Sequence, residues 1–182
     1  NFSDKFEFSI NSDAVPGEIP ITLTVTVGED GSYETEMEII IDVTLNQVGF
    51  PYEVGNTVQT APVIVDIDGE GSNEVIAGSD DGKLYVLNSD GTLKWSYSAE
   101  NKISSSPAIG DVNNDGSLEI VFGSEDMSVY VVDSNGSLQL RYNAGGFVVG
   151  TPALKDLDNN GDLEIIFGTF TKDIIVIHHD GT

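Results

Sequence analysis

Hydrophobic and polar positions follow two different patterns along the chain. In residues 1–46, apolar side chains alternate with polar ones in three stretches, at residues 6–10, 21–27 and 37–43. A period of two with many β-branched residues is typical of strands with one buried face. From residue 47 onward, short apolar runs are separated by Gly- and Asp-rich breaks and show no helical period. The pattern therefore predicts an all-β chain with two regions of different organisation.

The first region, residues 1–46, holds too few strands for a complete sandwich. Turn signals at Pro16-Gly17 and at residues 28–31 separate its three predicted strands. An immunoglobulin-like sandwich needs about seven strands. We therefore predict that residues 1–46 are part of an immunoglobulin-like β-module.

The second region, residues 47–182, repeats a 45-residue unit without insertion or deletion, at about 47–91, 92–136 and 137–182. Each unit has a strand before an acidic loop, a strand after it, a third apolar strand, and an aromatic segment at its start, around Phe50, Trp95 or Leu140. Four short strands per repeat are typical of β-propeller blades, and this phase lets neighbouring blades exchange the aromatic strand. The predicted fold is a partial β-propeller of three four-stranded blades, preceded by part of an immunoglobulin-like β-sandwich.

The acidic loops share one pattern, and they read DIDGEGSNE from Asp66, DVNNDGSLE from Asp111 and DLDNNGDLE from Asp156. Positions 1, 3 and 5 carry carboxylates or amides, and position 6 is Gly in all of them. Calcium takes oxygen ligands at about 2.3–2.6 Å, and Gly permits the sharp turn that lets them converge. The loops therefore predict a calcium ion in each blade. An acidic turn without metal is the alternative.

The segment DVNNDGSLEIVFGS at residues 111–124, with its two counterparts, resembles the FG-GAP (VCBS-type) repeat of integrin α-subunit propellers and their bacterial relatives. Phe122-Gly123 and Phe167-Gly168 match the Phe-Gly of that repeat, whereas Ala77-Gly78 departs from it. Residues 78–97 also resemble blades of quinoprotein-like propellers. The resemblance implies a secreted or cell-surface propeller with calcium in each blade, a module that serves adhesion, ligand recognition or scaffolding.

The same resemblance implies a ligand set for each loop: side-chain oxygens at positions 1, 3 and 5, the backbone carbonyl at position 7, and the carboxylate at position 9. The implied ligands are Asp66, Asp68, Glu70, Ser72 and Glu74 in the first loop, Asp111, Asn113, Asp115, Ser117 and Glu119 in the second, and Asp156, Asp158, Asn160, Asp162 and Glu164 in the third. Two features depart from the integrin pattern. Position 9 is Glu instead of Asp, which leaves open whether it binds the metal, and Glu70 is one methylene longer than Asp. We therefore expect the first loop to bind calcium most weakly.

Charge narrows the range of partners. Acidic residues number 31 against seven basic ones, for a net charge of −24. A basic face supplies most of the affinity for nucleic acid and anionic membranes, so neither is expected as a partner. The chain has no cysteine, and no apolar run approaches the about 18 residues that a membrane span needs. The composition fits a chain that binds cations.

Enzymatic chemistry is not indicated. His178-His179 falls in a polar turn of the repeat, and Ser104–Ser106 precedes a strand without a partner histidine. The paired carboxylates recur in every repeat, unlike a catalytic pair. We therefore expect a non-enzymatic module of a larger secreted or surface protein, with a protein or carbohydrate ligand and self-association through open blade edges.

Two alternatives remain open at this stage. One is the propeller part of a secreted enzyme, either a quinone-dependent dehydrogenase or a polysaccharide lyase. A quinone or lyase site needs basic groups, and the chain has one Arg, Arg141, and six Lys. The other is a passive spacer. Fold alone does not decide among these functions.

Overall fold

The chain divides into two compact units, Asn1–Gln47 and Val48–Thr182. The computed structural model describes residues 17–27, 33–43 and 49–182. In the first unit, β1 (Gly17–Val27) and β2 (Tyr33–Val43) pair antiparallel, with Gly17 opposite Val43 and Val27 opposite Tyr33. They contain two of the three predicted alternating stretches, and the third, at residues 6–10, lies outside the described residues. The immunoglobulin-like assignment stays a prediction.

The second unit is built from three antiparallel sheets, one per predicted blade. The first blade contains β3 (Val63–Val65), β4 (Glu74–Gly78), β5 (Lys83–Leu87) and β6 (Leu93–Ser98), the second β7 (Ala108–Gly110), β8 (Glu119–Gly123), β9 (Ser128–Val132) and β10 (Leu138–Asn143), and the third β11 (Ala153–Lys155), β12 (Glu164–Gly168) and β13 (Ile174–Ile177). Strands follow one another in space in chain order. The prediction of an all-β partial propeller is confirmed. None of the described residues forms a helix that could cross a membrane.

The aromatic strand completes the blade that precedes it in the sequence. Trp95 of β6 pairs with Val86 of β5, and Arg141 of β10 pairs with Tyr130 of β9. Each four-stranded sheet therefore takes its outer strand from the next sequence unit, as the phase of the repeat predicts. The third sheet has three strands instead of four, and no strand forms at Phe50, which precedes β3.

Two apolar cores lie between neighbouring blades. The first combines Ile76 and Leu84 of blade one with Ile120, Phe122 and Tyr130 of blade two, all buried. The second joins blades two and three, and its members include Val121, Val129, Val131, Ile165 and Phe167. Because each core uses side chains from two neighbouring blades, no blade has a complete core of its own.

The Gly that ends the second strand of a blade permits this packing. A Cβ atom built on Gly78 would lie 2.4 Å from Ile103, and one on Gly123 would lie 2.4 Å from Val148. Ile103 and Val148 belong to the connections that lead to the next blade, and both are fully buried. The glycine of the repeated motif thus lets the connection approach the sheet closely.

Candidate functional site

Each acidic loop joins the first strand of a blade to the second and contains two residues in the left-handed region. Position 6 has φ of 88° at Gly71, 92° at Gly116 and 103° at Gly161. Position 4 is left-handed as well, with φ of 56° at Asn114 and 63° at Asn159. Gly adopts this conformation without strain, and Asn does so more readily than other residues. The backbone is therefore curled so that the odd-numbered positions face the inside of the loop.

The Asp at position 1 holds this curl by accepting a hydrogen bond from the N–H of position 6. The distances are 2.8 Å for Gly71 to Asp66 Oδ2, 2.9 Å for Gly116 to Asp111 Oδ2, and 3.1 Å for Gly161 to Asp156 Oδ2. The N–H of position 5 donates to the position 3 oxygen at 3.1 Å in all three loops. A carboxylate oxygen has a second lone pair, so these bonds leave acceptor capacity for a cation.

The Glu at position 9 is the buried end of the loop. Glu74, Glu119 and Glu164 are 0–3% exposed. The Oε2 atom of each accepts a hydrogen bond from the N–H of position 2, at 3.1 Å from Ile67, 2.9 Å from Val112 and 2.6 Å from Leu157. The other carboxylate oxygen, Oε1, takes no part in this bond, and in Glu74 and Glu164 it faces Lys94 and His178.

Position 5 separates the first loop from the other two. The N–H of Ser117 donates to Asp115 Oδ1 at 2.8 Å, and the N–H of Asp162 donates to Asn160 Oδ1 at 2.7 Å. Both bonds close a short turn from position 5 to position 7. Glu70 occupies position 5 in the first loop, where the structure gives no such bond from Ser72. The additional methylene of Glu70 thus changes the loop locally.

The three buried glutamates differ in what faces them. In the first blade, the Lys94 ammonium contacts Asp68 and lies 3.2 Å from Glu74 Oε1. In the third, His178 Nδ1 lies 3.0 Å from Glu164 Oε1. In the described part of the chain, no ion pair includes an acid of the second loop.

The pKa directions follow these surroundings. Burial, and after it the negative charges of Asp115, Asp111 and Asp133, raises the pKa of the Glu119 carboxyl, although the Val112 N–H opposes this effect. The Lys94 ammonium lowers the pKa of Asp68, and Asp68 in turn raises the pKa of Lys94. The second loop therefore concentrates negative charge that no cationic side chain of the described residues balances.

Possible ligand atoms from separate positions converge in the first and third loops. One ligand atom each from Asp66, Asp68 and Glu74 lie within 4.8 Å of one another, and the same holds for Asp158, Glu164 and His178. Asp66 Oδ1 is buried without a hydrogen-bond partner. Carboxylate and amide oxygens around a buried acid fit a hard cation such as calcium. The all-oxygen set of the first loop therefore fits the predicted metal, whereas the nitrogen of His178 in the third is not an oxygen ligand of the kind that calcium takes.

Lys94 and His178 are residues that the sequence analysis did not connect with the loops. Lys94 stands one repeat before Gln139. A Lys in one unit, at the position where the next unit has an amide, is the sequence feature that could have indicated the contact. His178 was expected only to belong to a polar turn, and it does lie in the turn after β13. Its ring nevertheless faces Glu164 of the third loop.

The serines ahead of the second blade have structural partners. Ser105 is fully buried, and its Oγ donates to the carbonyl of Gly150 at 2.9 Å. Ser106 Oγ accepts from the N–H of Ala61 at 2.8 Å, and Ser104 Oγ donates to Glu125 at 2.8 Å. These contacts occupy all three hydroxyl groups.

A sequence-family model for the lambda-carrageenase β-propeller domain matches residues 32–143, more than half of the chain. The chain belongs to this family. The match to the lambda-carrageenase propeller family covers the first two acidic loops. A comparison with curated proteins gives no match.

Two solved structures with TM-scores of 0.50 or more support the propeller fold. BBS1N in complex with ARL6DN, soaked with lead, has a TM-score of 0.52 at 13% identity, over 70% of this chain and 42% of that one. The mercury-soaked crystal of the same complex has a TM-score of 0.50 at 12% identity, and the match covers 96% of this chain and 55% of that one. BamB from Moraxella catarrhalis is 16% identical with a TM-score of 0.48, and the match covers 68% of this chain and 36% of that one. This lambda-carrageenase-type propeller chain thus spans between about a third and about a half of their lengths.

Proposed function

We propose that residues 49–182 are a calcium-stabilised propeller module of the FG-GAP type, which recognises a protein or a carbohydrate within a larger secreted or surface protein. The observation that carries the calcium proposal is the second loop. The charges of Asp111 and Asp115 act on the buried Glu119, and no ion pair among the described residues includes any of these three carboxylates. A divalent cation there removes the repulsion among three carboxylates and holds the β7–β8 connection in place.

Asp111, Asn113, Asp115 and Glu119, with the Ser117 carbonyl, would hold the metal in the second loop, and the equivalent set from Asp156 to Glu164 would hold it in the third. Calcium supplies charge neutralisation and a fixed loop conformation, and no reaction is involved. An extracellular module of this kind is expected to bind with a Kd of about 10⁻⁴–10⁻³ M.

Titration calorimetry and thermal unfolding test the metal. A ligand that binds only the folded state stabilises it by RT ln(1 + [L]/Kd), so millimolar calcium is expected to raise the midpoint of unfolding. Asp111→Ala removes the position 1 carboxylate and reduces the rise, whereas Asp90→Ala, an exposed turn residue outside the loops, is the matched control. The proposal is refuted if millimolar calcium produces no heat of binding and no shift of the unfolding midpoint.

An exposed aromatic surface supports the recognition function. Phe147 and Phe170 meet edge to face with ring centroids 6.4 Å apart, and they are 41% and 68% exposed. With Met127 and Thr171 they line a cavity of about 240 Å³ at the end of the blades opposite the acidic loops. Binding to a glycan or matrix-protein array is the test, with loss of binding in Phe170→Ala and no loss in Leu93→Ala, which is exposed on another strand.

The second candidate function is the propeller domain of a secreted enzyme, and the observation that favours it is the family itself. The matching family is named for lambda-carrageenase, which is an enzyme. In that case this chain supports a catalytic domain elsewhere in the protein. Polysaccharide turnover by this chain alone, abolished by a substitution outside the acidic loops, would favour an enzyme over a binding module.

A further inference from the structure

A lysine of the outer strand reaches into the first acidic loop. Lys94 lies on β6, and its ammonium contacts the carboxylate of Asp68 at position 3 and lies 3.2 Å from Glu74 Oε1 at position 9. The Glu74 side chain is 1% exposed and that of Lys94 is 23% exposed. A positive charge of the chain itself is therefore held where two of the predicted calcium ligands converge.

The second blade has no such charge at the equivalent place. Gln139 stands one repeat after Lys94, and its uncharged side-chain amide donates to Asp133 Oδ2 at 3.2 Å instead of to an acid of the second loop. The two loops share the bonds from position 6 to position 1 and from position 2 to position 9. They differ at position 5 and in the cation that faces them. The third loop is faced by His178, whose ring is a cation only when it is protonated.

The electrostatic consequences are opposite in the two loops. In the first loop, Lys94 places a positive charge against Asp68 and Glu74. In the second loop, no ion pair among the described residues includes Asp111, Asp115 or Glu119. A loop with its own cation is stable without metal, whereas the other gains stability from one.

We propose that Lys94 is a built-in substitute for calcium in the first loop, which folds without metal while the second and third loops take the ion. This inference rests on the proposed calcium function. Calcium and the ammonium exclude each other because both require the carboxylates of Asp68 and Glu74. Two positive charges bound to the same carboxylates would also repel each other. One ammonium has three donors, whereas calcium takes six to eight oxygens. Accordingly, Asp66 Oδ1 remains buried without a partner beside Lys94.

The number of bound calcium ions tests the inference, measured by calorimetry and by native mass spectrometry on the whole chain. We expect two ions for the wild type and three for Lys94→Gln, which places the residue of the second blade in the first. The reciprocal change Gln139→Lys is expected to leave one ion. Lys102→Gln is the control, because Lys102 pairs with Asp80 at 3.3 Å outside the acidic loops, and it should leave two ions.

Stability without calcium supplies a second readout. In EDTA, Lys94→Gln is expected to unfold at a lower temperature than Lys102→Gln, and millimolar calcium should restore its midpoint. Three ions in the wild type and in Lys94→Gln would overturn the role of Lys94 and leave calcium binding intact. No calcium in any variant would overturn the proposed function together with this inference.

Discussion

The backbone N–H of Ala61 donates a 2.8 Å hydrogen bond to the hydroxyl of Ser106, which lies 45 residues further along the chain. Ser105 continues this relationship, because its hydroxyl donates to the carbonyl of Gly150 at 2.9 Å, again across 45 residues. Equivalent positions of consecutive blades are therefore bonded directly, just before the innermost strand of each. These bonds fix the spacing of the blades where the sheets lie closest together.

Ser105→Ala is expected to destabilise the propeller by about 0.5–1.5 kcal/mol, because it removes the hydrogen bond that the fully buried Ser105 hydroxyl donates to the Gly150 carbonyl. Urea denaturation followed by fluorescence measures the change. Ser106→Ala is the comparison, since Ser106 is partly exposed and water replaces its bond to Ala61, so its cost should be smaller. An unchanged midpoint for Ser105→Ala would show that the bond between blades carries no stability.

The glycines that end the second strand give a sharper test of the packing between blades. Gly123→Ala is expected to cost about 1–3 kcal/mol, since the new methyl group would lie 2.4 Å from Val148 Cγ1 and 2.5 Å from its carbonyl oxygen. Gly168→Ala, at the same repeat position, is the matched control. The atom nearest to its Cβ is the carbonyl oxygen of Asp173 at 4.0 Å, so it should change stability little. Equal costs for both variants would contradict the packing argument.

The spacing of glycines, prolines and acidic loops was sufficient to predict the order of the strands within the blades, because a strict period leaves few ways to pair them. The partners of individual long side chains were not predictable in this way. Lys94 and Gln139 occupy one repeat position, yet one turns into an acidic loop and the other toward Asp133. Such choices depend on distances between side chains of different strands. The absence of a strand at Phe50 has a similar cause, since no earlier propeller blade among the described residues offers it an edge.

The loops are expected to rank in calcium affinity. Asp111→Ala or Asp156→Ala should remove more bound calcium than Asp66→Ala, because Glu70 lacks the turn bond of its counterparts and Lys94 already faces the first loop. Calorimetry of the three single variants at millimolar calcium measures the loss. Equal losses in all three would refute the ranking.

Stability is expected to fall at alkaline pH through Tyr130. Its hydroxyl donates to Asp126 Oδ2 at 2.5 Å, and its ring is 2% exposed. Burial, and after it the Asp126 charge, raises the pKa of Tyr130. The unfolded chain ionises this group near pH 10, whereas the folded chain keeps it neutral. Its stabilisation is therefore complete below about pH 10 and is lost as the pH rises further, by about 1.4 kcal/mol per pH unit.

Tyr130→Phe isolates this contribution. The variant loses the hydrogen bond to Asp126 and should be less stable at pH 8, but its stability should fall less steeply between about pH 10 and 11. Tyr85 and Tyr97 also have raised pKa values, so some slope remains. Chemical denaturation at a series of pH values measures both slopes. If the two slopes are equal, Tyr130 is not the group that titrates.

The outer edge of the third blade is expected to cause self-association. Among the described residues, β13 pairs with β12 alone, and its Ile174 and Val176 are 81% and 49% exposed. The equivalent strand of the second blade, β9, is covered by β10 and buried along its length. An unpaired edge with exposed apolar side chains is a template for a strand of another chain. We therefore expect the chain to form dimers through β13 as its concentration rises.

A charge on this edge should abolish the association. Val176→Lys combined with Ile174→Lys places two ammonium groups on β13, and lysine is a common means of blocking an edge strand. Both side chains are exposed, so the midpoint of thermal unfolding of the monomer should change little. Leu138→Lys is the control, because Leu138 is 46% exposed on β10 and lies away from β13. Light scattering over a range of concentrations should show dimers for the wild type and this control, and monomers for the double variant. A monomeric wild type at every concentration would show that three blades are sufficient by themselves.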